Sequence, residues 1–455
     1  MANKRILSRR AFLATAGGTV GIALLAACST PPPASPSTPG AAPTTAPAAA
    51  GGARKQVLFW GRQQFLPESN DYLTESVKLA AQRGGFDVSV QLFTNDEHAQ
   101  KEVVAMESGV VPDITYTYAP ALWNQNGYAL EVQALYDEVG KSGGGWLDLA
   151  DGSSKTAAGK RIAIPMNNEP WFLHLRKDKF AEVGITLPFK TWDDMMAGFQ
   201  KVNKPDQGFF AYDGQMTEAD WVGNGLPFMW AFGGRIFDKE GNPTINTPQN
   251  IAGLKAYTDL LKNKMMPPGV VSQKASGNNE AWLSGQVAAV SNPGSIVLAM
   301  RKDNKELLAN TYLQAFPSQA KPGTFVEAAG SATLVINQKS ATIPEAMQIA
   351  RMILSPERYP TQLEKAGSYW FPIMKNYLTL PFFTQDEWNK EVTENIAPWT
   401  LAATADAGLS PIFDDITISA TNDMLQAVAV QGKSPEEAIK ILADAAAAAK
   451  AKFKI

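Results

Sequence analysis

Between residues 57 and 118, short apolar runs alternate with helix-length amphipathic stretches, and this alternation restricts the fold more than any other feature. The run VLFW at 57–60, closed by Gly61, has the length and composition of a buried parallel strand. Residues 71–83 place Tyr72, Leu73, Val77 and Leu79 at helical spacing. A second strand is predicted at 88–93, a second helix at 98–107, and a third strand at 114–118 behind Pro112 and Asp113. Strand–helix–strand–helix–strand over this span predicts a parallel, doubly wound α/β sheet. In such sheets the ligand crevice lies beyond the carboxyl ends of the strands, here the loops after Trp60, Phe93 and Tyr118.

Farther along, helical patterning dominates residues 177–264, broken by a turn at 238–243. A strand is expected at 332–337 and an amphipathic helix at 344–355. The last helix is announced by Ser434 as its cap, Pro435 at its first position, and Glu436 and Glu437 beside the positive end of its dipole.

The N-terminus reads as an address, not as part of the fold. Ser8-Arg9-Arg10 precedes the uncharged apolar stretch 14–27, a twin-arginine export pattern. That stretch is too short to span a hydrocarbon core of about 30 Å. Leu25-Ala26-Ala27-Cys28 resembles a bacterial lipobox, so residues 1–27 are expected to be a signal peptide and Cys28 to be acylated. Residues 28–53, almost wholly Pro, Ala, Ser, Thr and Gly, cannot bury enough apolar surface to order themselves and are expected to form a spacer. Cys28 is the only cysteine, so no disulfide is available. The 41 basic and 44 acidic residues form no basic block, which excludes a nucleic-acid partner. Two histidines, His98 and His174, far apart and without further thiols, suggest neither a metal site nor a cofactor.

Seven segments, in order, carry a resemblance: VLFWG at 57–61, MESGVVPDI at 106–114, GKRIAIP at 159–165 followed by LRKDKFAEVGITLPFKTWDDM at 175–195, FGGRIFDKEGNPTINTPQN at 232–250, WLSGQVAAV at 282–290, INQKSATIPEAMQIARMIL at 336–354 and GKSPEEAI at 432–439. Together they resemble the family 1 extracellular solute-binding proteins, the maltose-binding-type receptors of bacterial ABC importers. Physically, most of these motifs record fold. Gly184 can end a helix, and Thr191 caps the next one with Asp194 three positions on, so Asp193 and Asp194 read as helix-start charges.

The resemblance implies a two-lobed periplasmic-binding-protein fold of type II, with lobe I at 54–168 plus 331–375 and lobe II at 169–330 plus 376–455. The chain would cross near 167–169 and return near 328–331. A small carbohydrate ligand would sit between the lobes, and hinge closure would create the form read by the permease. The protein is expected to be a monomer held at the membrane by its N-terminal lipid.

Candidate ligand-binding residues follow from position and chemistry. Aromatic faces pack on the C–H faces of sugars, while amides, carboxylates and guanidinium groups meet hydroxyls. From the first three strand ends come Trp60, Arg62, Asn95, Asp96, Glu97, Tyr118 and Trp123. Asn168, Glu169 and Trp171 stand at the first crossing and Gly330 at the return. Trp221 and Trp230 flank a glycine-rich stretch, and Trp370 follows Gly367-Ser368-Tyr369. The family carries a ligand-facing loop at Asn292-Pro293-Gly294, but Ser295 and Ile296 follow where many sugar binders place a tryptophan. Trp192 and Trp282 read as core. No residue pair singles itself out as catalytic, so a receptor is expected, not an enzyme. A glycoside hydrolase with two carboxylates across the cleft and a carbohydrate-sensing lipoprotein are the alternatives.

Overall fold

The computed structural model describes residues 54–455, apart from 218–219, 275 and 405–406 and the side chains of Asn95, Asp96 and Ile418. The expected signal peptide, Cys28 and the spacer lie outside the described residues.

Two α/β lobes are built on separate sheets. The first sheet has the order β2-β1-β3-β12-β4, formed by β1 (Gln56–Arg62), β2 (Asp87–Phe93), β3 (Ile114–Thr117), β4 (Ile164–Pro165) and β12 (Thr333–Ile336). β1 runs parallel to β2 and β3, with Trp60 opposite Gln91 and Thr115, whereas β12 enters antiparallel between β3 and β4. The helix Pro67–Gly84 begins with proline, ends at Gly85 in the left-handed region (φ 72°), and buries Leu73, Val77, Ala80 and Ala81. Those positions form one stripe at helical spacing, and burying a side chain such as Leu73 contributes about 1.5–3 kcal/mol. The following helix, Asn95–Ser108, starts three residues earlier than its apolar pattern suggests, because Thr94 and Glu97 form a capping box.

The second sheet has the order β7-β8-β6-β9, formed by β6 (Phe172–Arg176), β7 (Phe210–Asp213), β8 (Val287–Asn292) and β9 (Thr311–Gln314). β7 and β8 are parallel, and β6 is antiparallel to both β8 and β9. β7 falls inside the stretch read as helical. All four of its residues are buried, and so short an apolar run has no periodicity to separate strand from helix. Trp192 and Trp282 are both buried.

Between the lobes, β5 (Glu169–Pro170) pairs antiparallel with β11 (Phe325–Gly330), Glu169 opposite Gly330. β11 also pairs with β10 (Phe316–Pro317) and β13 (Thr400–Ala402). Asn167 ties the same place together: its Oδ1 accepts the Ala332 N–H at 2.8 Å and its carbonyl accepts the Ser331 hydroxyl at 2.6 Å. The helix Pro435–Phe453 has the capping box of Ser434 and Glu437. Among the described residues no helix is long and apolar enough to cross a membrane.

Candidate functional site

β3 alternates Thr115, Tyr116, Thr117 and then Tyr118, so its tyrosines face one way and its threonines the other. The tyrosines meet the end of β1. Arg62, the last residue of β1, lies with its guanidinium carbon 4.6 Å from the centroid of the Tyr118 ring. Its Nη2 donates to the Tyr369 hydroxyl at 3.0 Å. Tyr116 and Tyr118 hold their hydroxyls 3.1 Å apart, and Gln64 donates to the Tyr116 oxygen. Tyr118 in turn donates to Glu169 Oε1, which also accepts from Asn167 Nδ2 at 2.8 Å. Burial pushes the phenols of Tyr116, Tyr118 and Tyr369 up, against the opposing pull of Arg62, so all three remain neutral hydroxyls. On the rim, Phe65 is 56% exposed and sets its ring edge-on to Tyr369 at 4.7 Å.

The second sheet contributes a polar wall at the carboxyl ends of β7 and β8. Asp213 is buried and accepts the Gln215 N–H at 3.0 Å and Gln273 Nε2 at 2.8 Å. Asp220 accepts Asn278 Nδ2 at 2.8 Å, and burial, with the Asp213 charge adding to it, raises its carboxyl to about 7. Asn292, at the end of β8, donates to Asn279 and accepts the Ser295 hydroxyl at 2.9 Å. Gly294 brings this wall against the first lobe: a Cβ there would lie 1.6 Å from the Ser368 carbonyl oxygen. Trp171 lies with its ring on Gly223, where a Cβ would come within 1.9 Å of it.

The structure therefore brings Arg62, Tyr118 and Glu169 into one cluster. Gly330 faces Glu169 across the ladder, and Asn168 exchanges both backbone hydrogen bonds with Phe371. Trp370 is fully buried and meets Tyr116 edge-on at 5.9 Å. Trp60 turns to the other face of the sheet, edge-on to Phe93 at 5.3 Å. Three tryptophans stand apart: Trp123 is buried with its indole N–H on Glu102 at 3.0 Å, and Trp221 and Trp230 belong to the core of the second lobe. Glu97 is exposed and spends its carboxylate on the Thr94 cap, while Asn95 and Asp96 are the first two residues of that helix. Sequence reasoning missed Gln64, Tyr116 and the site role of Tyr369. The strict alternation of Thr and Tyr in β3 was the available signal for Tyr116.

Among the described residues no group of three or more His, Cys, Asp or Glu could hold a metal ion. Two open depressions, of about 530 Å³ beside Arg83 and Arg351 and about 420 Å³ beside Asn242 and Lys450, lie away from this cluster. The first is at the amino-terminal side of β1, where Arg54 bonds the Gly85 carbonyl. That is the opposite end from the expected crevice.

Against known proteins, a family model described as bacterial extracellular solute-binding protein matches residues 76–391. A probable ABC transporter-binding protein of Deinococcus radiodurans is 26% identical over 221 residues, which is 47% of this chain and 52% of that protein. The chain spans about half the length of this curated relative. Among solved structures, maltose-bound MalE3 of T. maritima superimposes with a TM-score of 0.70 at 18% identity, over 86% of this chain and 98% of that one. A sugar transporter protein of Arthrobacter chlorophenolicus with bound laminaribiose gives a TM-score of 0.72 at 15% identity, over 86% and 99%. At such identities the likeness is one of fold, and the fold is the two-lobed type II binding-protein architecture.

Proposed function

Because the chain belongs to the bacterial extracellular solute-binding proteins, a family of extracytoplasmic binding proteins and not of enzymes, we propose that it is the lipid-anchored receptor of an ABC importer. In this reading it captures a sugar, oligosaccharide or related polyol between its lobes and delivers it to the permease by hinge closure. The observation that carries the reading is the cluster of Arg62, Tyr116, Tyr118, Tyr369 and Glu169 at the carboxyl ends of β1 and β3, beside the paired β5 and β11. Neutral phenols, one guanidinium and one carboxylate supply donors and acceptors for hydroxyls, and aromatic rings supply apolar faces. The ligands named for the two solved relatives, maltose and laminaribiose, point the same way. The lobe limits given above, the β5/β11 ladder as hinge, a monomeric state and ligand contacts from Asn168, Trp171, Asn292 and Gly330 belong to this proposal.

A thermal-shift panel of mono- and oligosaccharides, polyols and polyamines tests it, since a ligand that binds only the folded state raises the melting midpoint. Silence across all carbohydrates with a shift from another solute would overturn the ligand class. Trp171→Ala is expected to weaken ligand binding by about tenfold or more while the protein stays folded, as loss of one aromatic platform would. Calorimetric titration showing wild-type affinity would remove Trp171 from the site. The anchor has its own test. Cys28→Ser should move the protein from the membrane fraction to the soluble one, because a single uncleaved apolar run of that length does not span a bilayer. Continued membrane attachment would contradict acylation at Cys28.

A further inference from the structure

Seven arginines of the described chain have a carboxylate oxygen at 2.6–3.2 Å. Arg62 has none. It is part-buried, its hydrogen-bond partner is the Tyr369 hydroxyl at 3.0 Å, and the ring of Tyr118 lies 4.6 Å from its guanidinium carbon. Both partners are neutral, and a guanidinium is never deprotonated in a protein. The nearby carboxylate makes no direct ion pair with it: Glu169 Oε1 accepts from Tyr118 and from Asn167, and the Glu169 charge acts on Arg62 from beyond hydrogen-bond distance. A fixed charge drawn away from water with no counter-ion in contact is costly, and the arrangement is kept in place by three segments far apart in the chain. What would complete it is an anion arriving from the cleft.

We propose that the solute is an acidic sugar, whose carboxylate takes the free edge of the Arg62 fork while its ring hydroxyls meet Tyr116, Tyr118, Tyr369 and Glu169. The inference deepens the receptor reading above and rests on it. A planar carboxylate matches the guanidinium fork in two parallel hydrogen bonds, which a single hydroxyl does not. The charge count selects carboxylate over phosphate. The cluster holds one cation, and Glu169 stands beside it. With Glu169 the pair is already neutral, so a bound monoanion leaves one net negative charge at the site, whereas a phosphate dianion would leave two.

The test is calorimetric and thermal-shift titration of the full chain with glucuronate, galacturonate and mannuronate. Each is compared with its neutral parent sugar and with acetate. The uronates should bind at least about tenfold tighter than the neutral sugars, and acetate should give no shift. Arg62→Gln should bring the ratio of neutral to uronate dissociation constants down to about one, and Arg62→Lys, which keeps the charge but loses the fork, should lower it part of the way. Neutral sugars binding as tightly as uronates would overturn the acidic ligand and leave the receptor reading standing. Wild-type discrimination in Arg62→Gln would remove Arg62 as its source, and wild-type discrimination in Arg62→Lys would remove the fork. Silence with uronates and their neutral parents alike would overturn the acidic sugar, and the wider panel of oligosaccharides, polyols and polyamines would then decide the receptor reading. A response to acetate equal to that with uronates would overturn the sugar in favour of an anion site with no sugar specificity.

Discussion

Gly294→Ala will lower the melting midpoint and the affinity for ligand together, whereas Gly330→Ala will lower affinity alone. The two glycines differ in what an added methyl would meet. At Gly294 the new Cβ would stand 1.6 Å from the carbonyl oxygen of Ser368 and 3.0 Å from Tyr369 Cα. Those are backbone atoms, which cannot swing aside as the end of a side chain can. Gly294 itself has helical angles (φ −60°, ψ −3°), so alanine meets no conformational objection there and the whole effect is contact. Overpacking of this kind costs about 1–3 kcal/mol or more. It also pushes on the turn Gly367–Tyr369, whose tyrosine hydroxyl accepts the hydrogen bond from Arg62. Displacement there should raise the dissociation constant by about tenfold. At Gly330 the nearest atom is Glu169 Oε2 at 3.7 Å, an ordinary van der Waals contact. Its methyl leaves stability unchanged and covers an oxygen that a ligand hydroxyl would use. Chemical denaturation and calorimetric titration of both variants measure the two effects separately. An unaltered midpoint for Gly294→Ala would mean that the two walls are not held together at this point. An unaltered affinity for Gly330→Ala would place the ligand away from Glu169.

The first sheet was readable from the sequence because each of its parallel strands is joined to the next by one helix of clear period, so local pattern and long-range pairing agree. The starts of the helices at Thr191 and Ser434 were readable for the same reason, since a capping box is satisfied within four residues. β12 had a visible strand pattern, but nothing local says that it enters antiparallel beside β3 after more than 200 intervening residues. The site was harder. Arg62 and Tyr369 are 307 positions apart, and only the tertiary fold brings their side chains together. Tryptophan drew attention as a sugar-stacking residue, yet Trp123 and Trp230 lie in cores, because a large indole is as useful for filling space as for holding a ring. Residue type alone does not choose between those uses. Strand alternation does, and it is what sets Tyr116 and Tyr118 on one face and Thr115 and Thr117 on the other.

That second face of β3 leads to the remaining large effect: stability will fall as the pH rises from about 6.5 to about 8, and Glu102→Gln will make the fall shallower. Glu102 projects from the helix Asn95–Ser108 and is buried. It accepts from Thr117 at 2.8 Å, Trp123 at 3.0 Å and Thr115 at 3.2 Å. Burial outweighs these donors and raises its carboxyl to about 8, with the Asp414 charge adding to the shift. Burial likewise raises Asp414 and Asp220 to about 7 and holds Glu327 well above the usual carboxylate range. For such groups the stability contribution is complete below the unfolded value, near 4, and is lost as pH climbs through the folded one. Burial lowers His98, whose Nε2 is 3.7 Å from Glu102, to about 4, and His174 to about 3. Their contributions have the opposite sign, present above about 6.5 and lost as pH falls. The two sets oppose each other between about 4.5 and 6.5. Above that the histidines finish titrating within about one pH unit and the carboxyls set the slope. Glu102 alone then costs about 2 kcal/mol by pH 8. An amide in its place keeps an acceptor for the hydroxyls and cannot ionise, so Glu102→Gln should be the more stable protein at pH 8 and show a flatter profile. Urea unfolding at half-unit pH steps resolves this. A variant whose profile runs parallel to the wild type would move the titrating group from Glu102 to the other buried carboxyls, Glu327, Asp220 and Asp414, which would then carry the slope.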